Sequence, residues 1–129
     1  MVDILIYIKT YIKNQKWILV TIPLVSILFF FITQPHPHKG TINHEQFTYL
    51  GMIRNGAPEG SGTMTFTNGD TYSGNFKSGK FDAKGTFISK SDHWSYTGNF
   101  KAGTPNGDGV MKIGNKETKV KMRNGMILK

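Results

Sequence analysis

YSGNFKSGKFDAKG, residues 72–85, is the stretch from which the fold can be read. Tyr72, Gly74 and Phe76 alternate with Thr71, Ser73, Asn75 and Lys77. Period two with one apolar side marks an antiparallel strand with one sheltered face. Ser78-Gly79 then supplies a position that accepts positive φ, so the chain can turn and come back.

Working outward, the same phrase recurs. Residues 49–62 read YLGMIRNGAPEGSG and residues 96–109 read YTGNFKAGTPNGDG. The leading tyrosines, Tyr49, Tyr72 and Tyr96, are therefore 23 and 24 residues apart. Glycines stand at fixed offsets behind them: Gly51, Gly56, Gly60 and Gly62; Gly74, Gly79 and Gly85; Gly98, Gly103, Gly107 and Gly109. Ala83 replaces the missing member of the second set. A degraded fourth unit, residues 120–125, aligns Gly125 with Gly56 but lacks the tyrosine start. A fixed period of this length announces an array of small units that contact mainly their neighbours.

The intervening segments keep the alternation. Met64 and Phe66 alternate with Thr63, Thr65 and Thr67, and Trp94, Tyr96, Gly98 and Phe100 with Ser95, Thr97, Asn99 and Lys101. Met111 with Ile113, and Val120 with Met122, carry it to the C-terminal end. Asn68-Gly69 reads as a two-residue hairpin turn. Asn55-Gly56, Ala102-Gly103 and Asn124-Gly125 mark further turns.

The pattern Y-x-G-x-(F)-x-x-G-x-x-x-G-x-G closely resembles the MORN repeat (membrane occupation and recognition nexus), over about residues 47–129. The departures are Ala83, Ile53 in place of an aromatic, and the eroded last unit. The resemblance implies an all-β domain, an elongated antiparallel meander of hairpins, and a scaffolding role; lipid binding has also been proposed for the family.

Ahead of the repeats, residues 17–32 read WILVTIPLVSILFFFI, without a charge. We expect a transmembrane signal-anchor helix over residues 17–33, extended by its flanks because the 16 uncharged residues fall short of the ~20 that span hydrocarbon. Trp17 would be an interfacial aromatic, and Pro23 is tolerable in a membrane helix. No small-x-small cleavage site follows the apolar core. Residues 1–16 read as a cytoplasmic segment, with Ile4, Leu5, Ile8, Tyr11 and Ile12 at helical spacing as in an amphipathic helix. Lys9, Lys13 and Lys16 outweigh Lys39, which places the N-terminus in the cytoplasm and the repeats outside a cell membrane crossed once. Residues 34–43 read as a Pro/His linker, and residues 44–129 as the repeat domain.

The net charge is +8, carried mostly by lysine, and there is no cysteine. A lysine-rich, cysteine-free chain fits the envelope of a Gram-positive bacterium. With scattered lysines and only Arg54 and Arg123 as arginines, specific nucleic-acid recognition is not expected. His36 and His38 lack the converging ligands a metal needs, and His44 and His93 stand apart. The short Gly-x-Gly pairs are followed by no helix N-terminus to hold phosphate. No nucleophile, base or acid constellation is visible, so neither an enzyme, a cofactor nor a small-molecule substrate is expected.

Two surfaces remain as candidates. Phe66, Tyr72, Phe76, Phe87, Trp94, Tyr96 and Phe100 share one face. It is completed either by a protein partner or second copy, or by curling of the sheet on itself. The other face carries Lys77, Lys101, Lys112, Lys119, Lys121 and Arg123. Those cations read as a solvated, aggregation-resistant surface or as a contact for anionic lipid or wall polymer. The expected function is a tethered, non-catalytic interaction module, an accessory part of an envelope protein complex, with direct binding to the anionic envelope as the alternative.

Overall fold

The computed structural model describes residues 2–128; within the N-terminal helix it describes the side chains of Ile6, Lys9, Thr10, Lys13, Gln15 and residues 21–33. The chain divides into two units, Met1–Pro35 and His36–Lys129.

The first unit is one continuous helix, α1, spanning Val2–Thr33 through Pro23. Thr33 closes it, its hydroxyl donating to the Phe30 carbonyl at 3.1 Å. This satisfies one of the acceptors that a helix end leaves open. The expected stripe of Ile4, Leu5, Ile8, Tyr11 and Ile12, together with Lys16 and Trp17, lies outside the described side chains. The expected membrane-spanning helix is corrected here. Among the described residues, no helix is long and apolar enough to cross a membrane. Residues 21–33 would rise only about 20 Å as a helix, against a hydrocarbon core about 30 Å thick. The N-in orientation presupposed that span and loses its premise.

The second unit is a single antiparallel sheet whose nine strands lie side by side in chain order. They are β1 (His38–Asn43), β2 (Phe47–Arg54), β3 (Ala57–Phe66), β4 (Thr71–Lys77) and β5 (Lys80–Ser89). Then follow β6 (Trp94–Lys101), β7 (Thr104–Ile113), β8 (Lys116–Arg123) and β9 (Met126–Ile127). The all-β meander expected from the repeat is present. β1 was not foreseen: it lies in the segment read as linker and pairs with β2, bringing Gly40 opposite Gly51.

Four turns are built alike. Asn55-Gly56, Ser78-Gly79, Ala102-Gly103 and Asn124-Gly125 all have both central residues at positive φ. That is the two-residue turn whose twist matches the strands it joins. The turns are also tied to one another. The N–H groups of Gly79, Gly103 and Gly125 donate to the carbonyls of Pro58, Phe81 and Pro105, each at 2.9 Å. Asn68-Gly69 is a correction. Only Gly69 has positive φ there, and Phe66 N–H reaches the Asp70 carbonyl across a longer loop.

Each repeat hairpin contains one irregularity. Between the pairs Gly51↔Gly62 and Ile53↔Pro58, residues 59–61 oppose Met52 alone. The same excess recurs between Gly98↔Gly109 and Phe100↔Pro105. Extra residues on one strand bend it and free backbone groups from the ladder. Ala83 sits in the corresponding bulge at φ 52, where Gly60 and Gly107 stand in the other repeats.

The core lies on one face and consists of Tyr49, Ile53, Met64, Tyr72, Phe76, Tyr96, Phe100 and Met122. Tyr72 stacks on Phe81 with ring centroids 3.8 Å apart and meets Phe76 and Phe100 edge-on. Tyr49, Tyr72 and Tyr96 are fully buried although the strands of this unit form a single sheet. The reason is beneath the rings.

Candidate functional site

The register places seven glycines in one row across the sheet. Gly40 faces Gly51, Gly51 faces Gly62, Gly62 faces Gly74 and Gly74 faces Gly85. Gly85 faces Gly98 and Gly98 faces Gly109, and the row ends at Val120. On the core side, a Cβ at Gly62 would fall inside the Tyr49 ring, at Gly85 inside that of Tyr72, and at Gly109 inside that of Tyr96. Each tyrosine thus lies flat over the backbone of two paired strands. A single sheet buries it because the floor has no side chains.

The tyrosine hydroxyls have a second task. Tyr49, Tyr72 and Tyr96 donate to the carbonyls of Met52, Asn75 and Asn99 at 2.8, 2.9 and 3.3 Å. Those carbonyls lie where the ladder is broken by the bulge, and a buried carbonyl left without a donor costs about 1–3 kcal/mol. Burial, with the Asp82 charge adding to it, pushes the Tyr72 phenol up to about 12. Burial also raises those of Tyr49 and Tyr96.

On the opposite side, the glycine row is the floor of an open groove of about 1150 Å³. Two rails of side chains flank it. Ser61, Asn75, Lys84, Asn99, Asp108 and Lys121 form one; Thr63, Ser73, Thr86, Thr97, Val110 and Lys119 form the other. It crosses β3 to β8, a run of about 24 Å at ~4.8 Å per strand. The rails are ordered by hydrogen bonds between strands. Thr63 bonds Ser73 at 3.1 Å and Thr86 bonds Thr97 at 3.0 Å. Asn75 and Asn99 donate their amide N–H to the Lys84 and Asp108 carbonyls at 3.3 and 3.4 Å. In the second and third repeats the bulge is therefore capped twice, by a tyrosine hydroxyl from the core side and by an asparagine amide from the groove side.

Of the two ways to complete the aromatic face, burial favours the sheet's own core for four of its seven residues. Tyr72, Phe76, Tyr96 and Phe100 are buried in the domain's own core. They pack on one another and on the glycine row. Phe66, Phe87 and Trp94 are half-buried against the same core. Of the expected cations, Lys119 and Lys121 line the groove. Lys112 pairs with Glu117 at 3.8 Å, the one ion pair among the described residues. Lys77, Lys101 and Arg123 are exposed at strand ends, each just before a two-residue turn. His44 stacks on Phe47 at 4.9 Å, and among the described residues no His/Cys/Asp/Glu group gathers as for a metal.

Sequence reading missed the rails. Ser61, Thr63, Ser73, Asn75, Lys84, Thr86, Thr97, Asn99, Asp108 and Val110 were not singled out. The signal was there in the repeat itself: they flank glycines at constant offsets from the tyrosine. Their small polar character only acquires meaning once the register aligns the glycines.

Comparison with known families agrees with the repeat. The family model described as MORN repeat matches residues 49–71, 72–93 and 96–118. The fourth, degraded unit lies beyond those matches. A search of curated proteins returned no match to the chain.

Proposed function

The chain belongs to the MORN-repeat family, whose repeats form non-catalytic binding modules, and from that premise we propose that it is a scaffold holding an extended protein segment in the glycine-floored groove. One observation carries the reading. The core face is spent on its own packing, whereas the opposite face presents a continuous trough about five strand spacings long with donors and acceptors on both sides. A trough lined by hydroxyls, amides and amines without a nucleophile–base pair is suited to holding, not to chemistry. The finer assignment, an accessory component of a cell-envelope protein complex, rests on the basic, cysteine-free composition.

The test is site-specific crosslinking in cells that carry the protein. A photo-crosslinker at Thr86, inside the groove, should trap one discrete protein. The same probe at Lys80, on a strand end away from the groove, should not. Equal trapping from both positions would overturn the groove as the binding surface.

A second reading has its own support. Lys77, Lys101, Lys112, Lys119, Lys121 and Arg123 lie on the groove side of the sheet, and anionic lipid or wall polymer would be drawn to them. Binding of that kind weakens steeply with added salt. A titration against anionic vesicles between low and physiological ionic strength separates the two readings.

A further inference from the structure

We propose that the segment seated in the groove is acidic and lies in an extended, polyproline-II-like conformation; this rests on the groove reading and goes on to the chemistry of its occupant. Three features of the trough select that class.

The first is length. Donors strung along about 24 Å cannot converge on one compact anion such as a lipid headgroup, but they match about eight residues of polyproline-II chain. The second is the pair of asparagines. Asn75 and Asn99 give their amide N–H groups to backbone carbonyls, which leaves each side-chain oxygen as an acceptor at the groove. An acceptor needs a donor. A peptide N–H supplies one, whereas a phosphate polymer offers acceptors only. Asn75 is on β4 and Asn99 on β6, two strand spacings apart, or about 9.6 Å. A polyproline-II chain repeats every three residues and about 9.3 Å, so successive equivalent N–H groups fall in step with the two oxygens.

The third is charge. Lys84, Lys119 and Lys121 line the trough and none has a carboxylate within ion-pair distance, the only described pair being Lys112–Glu117. Asp108 stands opposite Lys121 in the register and offsets part of that charge. Lys84, facing Asn99, is uncompensated at mid-groove. Among the described residues no aromatic ring lines the trough, which leaves a glycan or a nucleobase nothing there to stack on.

The probe is a fluorescently labelled twelve-residue oligoglutamate, titrated into the full-length chain and followed by anisotropy. Neutral Gly-Ser peptide and inorganic polyphosphate are run beside it. Oligoglutamate should bind, and Lys84→Glu should weaken it at least tenfold. Lys77→Glu makes the same charge change outside the groove and should weaken it less than twofold. Thr86→Trp and Thr97→Trp fill the trough from solvent-facing rails and should abolish binding while circular dichroism stays unchanged. Equal loss from Lys77→Glu and Lys84→Glu would overturn the inference in favour of diffuse surface attraction. Neutral peptide binding as well as oligoglutamate would overturn the acidic occupant and leave the groove standing. Tighter, groove-dependent binding of polyphosphate would overturn the peptide class. Undiminished binding by both tryptophan variants would overturn the groove reading itself.

Discussion

The two faces of the sheet meet at the same glycines and use them in opposite ways. On the core face, the absent Cβ atoms let Tyr49, Tyr72 and Tyr96 lie against bare backbone, so one layer of strands hides three large rings. On the other face, the same backbone is the floor of a trough, because the residues on either side of each glycine point outward there and form two polar rails. Neighbouring residues therefore carry very different burdens. Gly85 touches the Tyr72 ring, while Thr86 beside it faces the groove. The lesson is that a thin repeat sheet can pack its core on one side and leave the other side open.

That contrast is open to test by substitution, starting where the loss should be greatest. Tyr72→Ala removes a fully buried ring that stacks on Phe81 and meets Phe76 and Phe100 edge-on. It should cost about 4 kcal/mol in urea unfolding of the full chain. Gly85→Ala puts one methyl into the Tyr72 ring. A loss of about 3 kcal/mol should follow, because the Tyr72 ring is held by its stack on Phe81 and resists displacement. A loss below ~0.5 kcal/mol would mean that the tyrosine–glycine contact is not what stabilises the sheet.

Alkali attacks the same face without a mutation. An unfolded tyrosine ionises near pH 10, whereas folded Tyr72 resists up to about 12. The raised folded value means that its contribution is complete below pH 10 and is lost as pH climbs through about 12. The urea midpoint should hold steady from pH 7 to 9 and fall beyond 10, with phenolate absorbance rising only as unfolding proceeds. Tyr72→Phe should cost about 1–2 kcal/mol at neutral pH, since it strips the donor from the Asn75 carbonyl, and should blunt that alkaline fall.

Smaller effects sharpen the comparison. Ala83→Gly should stabilise by up to ~1 kcal/mol. The relief of a left-handed alanine exceeds glycine's extra entropy in the unfolded chain. Thr86→Trp, on the groove rail, should change stability by less than ~0.5 kcal/mol even as it blocks the trough. A large loss there would show that the groove face also holds the fold together.

Much of the sheet was legible because its signals are local. Alternation around Phe76 and Phe100 and the glycine pairs at 55–56, 78–79, 102–103 and 124–125 identify strands and turns within a few residues. β1 escaped because its six residues, HKGTIN, contain one large apolar group, Ile42, and sit beside prolines. Asn68-Gly69 looked like a tight turn because dipeptide chemistry is shared by several loop types. Asn68 instead turns its side chain onto the Asp70 N–H at 3.0 Å. The apolar run 17–32 looked like a membrane span on hydropathy alone, and its 16 residues were already short of the length a bilayer sets.

By itself, the sequence determined the repeat, the period, the sheltered side of each strand and the membership that follows from them, since all are properties of residues near one another in the chain. Only the tertiary structure decided that Gly40 through Gly109 form one row, that the aromatics close over that row without a second layer, and that a groove opens behind it. These depend on register between strands, in which residues from seven strands become neighbours. The rails of the trough come from six strands, so no single stretch of sequence spells it out.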